Sequence, residues 1–132
     1  MSFAVLVRTK SVANLREHWS TKAKRSRAER AAVRASWLMA RRPVISVPCV
    51  VTLCRVAPRA LDSDNLARSM KAIRDELAAI IGVDDGDDRV TWLYEQRRGP
   101  AKHYAVEVRW ESPAAYAERE IERLRALAGG VA

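Results

Sequence analysis

Cysteine, glycine, proline and phenylalanine are all scarce in this chain of 132 residues, which has two, five, five and one of them. Two cysteines exclude a disulfide-stapled scaffold. Cys49 and Cys54 lie five apart in a segment that reads as extended. Their side chains then point to opposite faces of a strand and do not pair without a bulge. No Cys-x-x-Cys or His-x-x-x-His spacing offers a zinc site, so both thiols are expected reduced, buried and structural. His18 and His103 are isolated in the sequence and carry no recognisable spacing. Little Gly and Pro beside 48% hydrophobic residues excludes a fibrous or disordered class. No apolar run approaches the roughly 18 residues that span a bilayer, and no basic amphipathic helix stands out, so no membrane partner is expected. Residues 1–8 turn charged too soon for a signal peptide and read as a strand, which makes the cytoplasm the expected compartment.

Charge is what the chain has in excess, with a net value of +8. It is unevenly spread: thirteen Lys and Arg against two Glu up to Ala60, four against eight over 61–90, and seven against six thereafter. A basic half of that density is the footprint of a nucleic-acid binder, and the plain alternative is a solvated Arg-rich surface.

Hydropathy patterning predicts one α+β domain over 1–132, with a mixed sheet of about four strands and the order β-α-β-α-β-β-α. Strands are expected over 3–8, 44–56, 90–96 and 103–110, the last two as a β-hairpin. Pro48, which has no ladder donor, marks a bulge or an edge in the second. A loop over 9–20 holds Asn14, His18 and Trp19. It leads into a basic helix over about 21–41 with Ser20 as N-cap and Ala28, Ala31, Ala35 and Leu38 as a narrow apolar face. Lys22, Lys24, Arg25 and Arg27, at its start, are the expected DNA-contacting residues. A central helix over about 64–81 buries Leu66, Met70, Ile73, Leu77, Ile80 and Ile81 and ends at Gly82. Opposite them Asp64, Arg68, Lys71 and Asp75 form a second stripe, with Asp64 as N-cap or first-turn residue. A last helix over 113–128, in a carboxy-terminal segment 113–132, is expected to turn Ala117, Ile121, Leu124 and Ala128 inward and to stop at Gly129-Gly130.

Two acidic groups flank the central helix: Asp62 and Asp64 before it, and Asp84, Asp85, Asp87 and Asp88 after it. Phosphodiester hydrolysis at neutral pH uses a hard divalent cation, and Mg²⁺ takes oxygen ligands and few carboxylates. The alternatives are a helix cap with an Asx turn for the first group and a polar turn around Gly86 for the second. Missing register and a missing distal Glu disfavour an EF-hand loop. An unbroken helix over 64–81 would be about 27 Å long and would hold the two groups apart. Joint action demands a break or bend in it, a returning strand, or a second subunit.

The ordered pattern Asp62-x-Asp64-Asn65-Leu66, Lys71-x-x-x-Asp75-x-Leu77 and Gly82-Val83-Asp84-Asp85 resembles the RusA family of Holliday junction resolvases. The resemblance is strongest over 61–90 and extends more weakly over the whole chain. It implies a small, phage- or prophage-type, Mg²⁺-dependent endonuclease of DNA recombination and repair, with Mn²⁺ as a substitute, that acts as a homodimer on branched DNA. It implies Asp62, Asp64 and Asp85 as catalytic acids and Lys71 as the phosphate-facing lysine. The metal ligands come from Asp62, Asp64, Asp84 and Asp85, with Asp87 and Asp88 leaving the third ligand open. In typical members the lysine follows the second Asp by four residues; here Arg68 holds that place and Lys71 comes three later. Either residue is therefore a candidate for the role, and both join the expected DNA-binding set. The competing readings are a DNA-binding protein of the same fold without catalysis, and an unrelated dimeric α+β structural protein.

Overall fold

The computed structural model describes residues 1–10 and 18–129. The eight elements run β1 (Ser2–Val5), α1 (Trp19–Met39), β2 (Cys49–Ala57), α2 (Ser63–Ser69), α3 (Lys71–Ile81), β3 (Val90–Arg98), β4 (Ala105–Glu111) and α4 (Pro113–Gly129). The class is the expected one, α+β with a four-stranded mixed sheet, and the order of elements matches. Asn14, in the loop expected over 9–20, and Gly130, in the expected terminator, lie outside the described residues. Among the described residues no helix is long and apolar enough to cross a membrane.

Strand order is β1-β4-β2-β3, with β2 and β3 parallel and the other pairs antiparallel. The expected β3–β4 hairpin does not form, because β2 is inserted between the two strands. Residues 99–104 therefore cross the end of β2 rather than make a tight turn. Gly99 allows that crossing: its N–H donates to the Ala57 carbonyl at 3.0 Å, and a Cβ there would sit 2.9 Å from Val56 Cγ1.

The central strand β2 is buried along nearly its whole length, which is why CVVTLCRVA reads as a continuous apolar run rather than an alternation. It begins at Cys49, not at Val44; Pro43 and Pro48 both lack ladder donors, and the Val47–Pro48 bond is cis. Cys49 and Cys54 are free and buried, on opposite faces as expected. One face of the sheet packs Phe3, Val5, Val51, Leu53, Val106, Val108 and Trp110 against Val33, Leu66, Met70, Ile73 and Leu77 from the helices. On the other face, ion pairs Arg97–Glu107 and Arg109–Glu95 join β3 to β4 across β2. They lie over Cys54, whose thiol is pushed up first by burial and then by Glu107.

Three helix expectations need correction. His18, not Ser20, caps α1, its Nδ1 accepting from the Ser20 N–H at 3.3 Å. The buried face of α1 carries Glu29 and Val33, with Ala32 and Trp37 packed beside them, while Ala28, Ala31, Ala35 and Leu38 are exposed. The reason is electrostatic: Arg30 and Arg34 reach across to Glu76 of α3 and draw the charged side of α1 onto the domain. The stripe on α4 is not inward either: Ala117, Ile121, Leu124 and Ala128 are all exposed. Half-buried Tyr116 and Arg119 face the domain instead, Arg119 pairing with Glu111.

The central helix is broken. The Ser69 hydroxyl donates to the Leu66 carbonyl at 2.7 Å, and Met70 takes φ −100°, ψ 3°, ending α2 as α3 begins. Leu66, Met70, Ile73 and Leu77 remain buried through the break. Gly82 ends α3 at φ 87°, the left-handed geometry expected of it.

Candidate functional site

The acid pair is set in place by β3. The Gln96 side-chain amide accepts from the Leu61 N–H at 2.9 Å and donates to the Leu61 carbonyl at 2.7 Å, gripping the lead-in to α2 as a strand neighbour would. Asp62 then takes the N-cap position of α2 with extended backbone, its carbonyl accepting from Leu66 at 2.8 Å. Its side chain makes no capping bond. Asp64, expected as N-cap or first-turn residue, occupies the first turn. Both residues are exposed, and neither carboxylate has a cation partner among the described residues. The cap explanation therefore accounts for the position of Asp62 but not for its carboxylate.

Beyond the break, α1 and α2–α3 enclose a cleft of about 430 Å³ lined by Lys10, Lys22, Arg25, Arg30, Arg68 and Lys71, among others. Four of the six residues expected to meet DNA, namely Lys22, Arg25, Arg68 and Lys71, thus come together. Lys24 and Arg27 are exposed on α1 outside the lining. Arg68 and Lys71 share this cleft, so both candidates for the lysine role face one space. Lys71 is paired with Asp75 at 2.9 Å. Of the expected second stripe, Arg68, Lys71 and Asp75 line the cleft and Asp64 does not.

The second acidic group folds as a turn around Gly86, the Asp87 N–H donating to the Asp84 carbonyl at 3.0 Å. Arg89 binds Asp87 through its backbone N–H at 2.9 Å and its guanidinium, and that hydrogen bonding brings the carboxyl down to about 2. Asp87 is thereby committed to the turn. Asp85 is held by Arg74: Nε lies 2.7 Å from Oδ1, and Nη2 donates to the Asp85 carbonyl at 2.8 Å. Arg74 also donates to the Tyr94 hydroxyl at 3.1 Å and lies over the Trp92 ring, 5.0 Å from its centroid. Burial works against its charge, but Tyr94 and Asp85 outweigh that and raise its pKa.

Both acidic groups are therefore tied to one face of β3, the first through Gln96 and the second, via Arg74, through Tyr94. Those two residues are about 7 Å apart along the strand. The broken helix and the returning loop give the two groups this common anchor on β3. Even so, among the described residues no three His, Cys, Asp or Glu side chains are gathered closely enough to hold an ion. Asp62 and Asp64 stand as a pair, and Asp85 is engaged by Arg74. This donor set fits a Mg²⁺ held by one or two carboxylates together with substrate phosphates, and does not fit a ready-made cage of three acids.

Arg74, Tyr94 and Gln96 escaped sequence reasoning. Arg74 was discoverable by asking which cation neutralises the acidic loop, since it is one of four Lys and Arg in 61–90. Tyr94 and Gln96 carried no signal beyond alternation. No protein-family model, no curated protein and no solved structure matches this chain.

Proposed function

We propose that this protein is a Mg²⁺-dependent, structure-selective endonuclease that cuts four-way DNA junctions and acts as a homodimer. One observation carries the reading: two exposed carboxylates, Asp62 and Asp64, with no cation partner among the described residues, stand at the start of α2, whose far end opens on a basic cleft. Bound there, Mg²⁺ would lower the pKa of an attacking water and offset charge on the scissile phosphate. The chain's own part is positional. Asp62 and Asp64 supply hard oxygen ligands. Arg68 and Lys71 hold phosphate from α2–α3, while Lys22 and Arg25 hold it from α1; exposed Lys24 and Arg27 extend the basic track. Asp85 joins the acids only by leaving Arg74, and Asp84, exposed on the same turn, is the neighbouring choice.

Incubating the full chain with a synthetic four-way junction and Mg²⁺ is expected to nick two opposed strands symmetrically, and EDTA to stop it. The Arg74–Asp85 pair favours a second reading, a DNA-binding protein of this fold without catalysis. Junction binding with steep salt dependence but no nick at any Mg²⁺ or Mn²⁺ concentration would select that one.

Two opposed strands call for two sites, and α4 offers the surface for a second copy. Its stripe of Ala117, Ile121, Leu124 and Ala128 repeats at alternating spacings of four and three, the pattern of a coiled-coil seam. In an antiparallel pairing Ile121 meets Leu124 of the partner subunit, and Glu118 meets Arg125 of the partner subunit. Opposite charges thus fall together twice. Leu124→Asp is expected to convert a dimer to a monomer by light scattering at micromolar concentration; an unchanged mass would place the dimer contact elsewhere or remove it.

A further inference from the structure

At the carboxy-terminal end of β2, on the helix-facing side, Arg55 is 7% exposed. Its guanidinium donates from Nε to Thr9 Oγ1 at 3.1 Å, from Nη1 to the Arg59 carbonyl at 2.7 Å, and from Nη2 to the Thr9 carbonyl at 3.5 Å. Every one of these acceptors is neutral. Burial, its largest perturbation, pushes the guanidinium pKa down, and Tyr104 and Arg8 are the groups that act on it electrostatically. A buried cation without a counter-charge is costly, and structures retain one where an anion completes it.

Arg55 lies at a hollow of about 480 Å³ lined also by Arg8, Lys10, Arg59, Leu61 and Tyr104. Arg8 is stacked on Tyr104, 4.6 Å from the ring centroid. Among the described residues none of Arg8, Lys10, Arg55 and Arg59 pairs with a carboxylate. Tying residues 9 and 59 to β2 explains the three bonds of Arg55, but does not explain three more cations around the same space. One carboxylate would leave most of that charge unmatched; consecutive phosphates along a nucleic-acid backbone, one negative charge each, would match more of it.

We propose that this hollow is a phosphate-binding pocket that takes a phosphate ester of nucleic acid, with Arg55 at its buried wall and Arg8, Lys10 and Arg59 at its rim. Its volume exceeds that of one phosphate group and admits the attached sugar. Leu61, which lines it, is followed directly by Asp62, and Lys10 lines both this hollow and the α1–α2–α3 cleft. The two basic spaces therefore form one track, with the acid pair adjoining its Leu61 edge. The pocket rests on the nuclease reading only for the source of its phosphate.

Thermal unfolding of the full chain in sodium phosphate, against sodium chloride at matched ionic strength, tests it. A saturable rise in Tm of about 4 °C is expected at phosphate ten times its Kd. Arg8→Gln combined with Arg59→Gln changes two exposed residues and should leave Tm in chloride nearly unchanged while abolishing the rise. Arg41→Gln combined with Arg42→Gln, which are exposed just beyond α1 and line neither basic space, should leave the rise intact. A short single-stranded DNA with and without a 5′-phosphate separates the sources: a gain from the 5′-phosphate marks a terminal group, and equal affinity marks an internal one. In both cases the Arg8/Arg59 variant should bind about tenfold more weakly. Equal Tm in phosphate and chloride, a rise that survives the Arg8/Arg59 variant, or undiminished oligonucleotide affinity would overturn the pocket. A positive phosphate response from a protein that cuts no junction would keep the pocket and remove the nuclease.

Discussion

Asp64→Asn is expected to lower Mg²⁺-dependent junction cleavage by about 10³-fold or more while leaving junction affinity within about twofold. The change keeps the shape of the side chain and removes only its charge. Since Asp64 has no cation partner among the described residues, its fold role is confined to the first turn of α2. There an exposed carboxylate contributes about 0.3–1 kcal/mol through the helix dipole, so Tm should fall by no more than a few degrees. Asp62→Asn should behave alike, because the Asp62 side chain makes no capping bond to lose. Asp87→Asn is the control from the same acidic complement: its carboxylate belongs to Arg89, so cleavage should stay within about threefold of the unaltered protein's. The measurement is single-turnover nicking of a labelled junction beside a gel-shift affinity in EDTA. Cleavage that persists in Asp64→Asn sinks the assignment of the acid pair. Loss of affinity and of Tm together, with no separate effect on rate, would make both acids structural.

The buried face of the central helix was legible in the sequence because Leu66, Met70, Ile73 and Leu77 keep their apolar spacing through the break at Met70. The break itself was legible only as a requirement: the sequence showed that an unbroken helix would hold the acids apart, not that the Ser69 hydroxyl would take the Leu66 carbonyl. Local alternation also made β3 and β4 look like a hairpin. The parallel pairing of β2 with β3 is a contact between residues about forty apart in sequence, and no local pattern announces it. The inward face of α1 was misread for a different reason. Apolar periodicity assumes that charge faces water, and Glu29, Arg30 and Arg34 break that assumption by finding partners on α1 and α3. Of the six residues expected to meet DNA, four line one cleft. What charge counting left out was which cations are already spoken for. Arg74 belongs to Asp85, and Arg30 and Arg34 to Glu76, whereas Arg55 has only neutral acceptors.

Arg30→Ala combined with Arg34→Ala is expected to destabilise the protein by about 3 kcal/mol, more than Glu76→Gln, at about 1 kcal/mol, although both remove the same ion pairs. The asymmetry follows from burial. Glu76 is 9% exposed and accepts from Arg30 Nε at 3.0 Å and Arg34 Nε at 2.9 Å. Strip both arginines and a carboxylate is left inside the domain without a counter-charge. Replace Glu76 instead, and the two guanidinium groups, each more than 40% exposed, turn to water. Burial tends to raise the Glu76 pKa, but hydrogen bonds from Arg30 and Arg34 outweigh it and hold the group below 4.5. A depressed folded-state value contributes stability that is present above 4.5 and is lost as pH falls through that lowered value. Urea midpoints measured from pH 7 down to pH 3 should therefore fall more steeply for the unaltered chain than for Glu76→Gln over the acid end of that range. Because this cluster is also what clamps α1 to α3, loosening it should widen the cleft that Lys22 and Arg25 share with Arg68 and Lys71. Junction affinity should then drop in the double arginine variant even where the chain stays folded. A larger loss of stability from Glu76→Gln than from the arginine pair would mean that the guanidinium groups, not the carboxylate, bear the cost of being left alone.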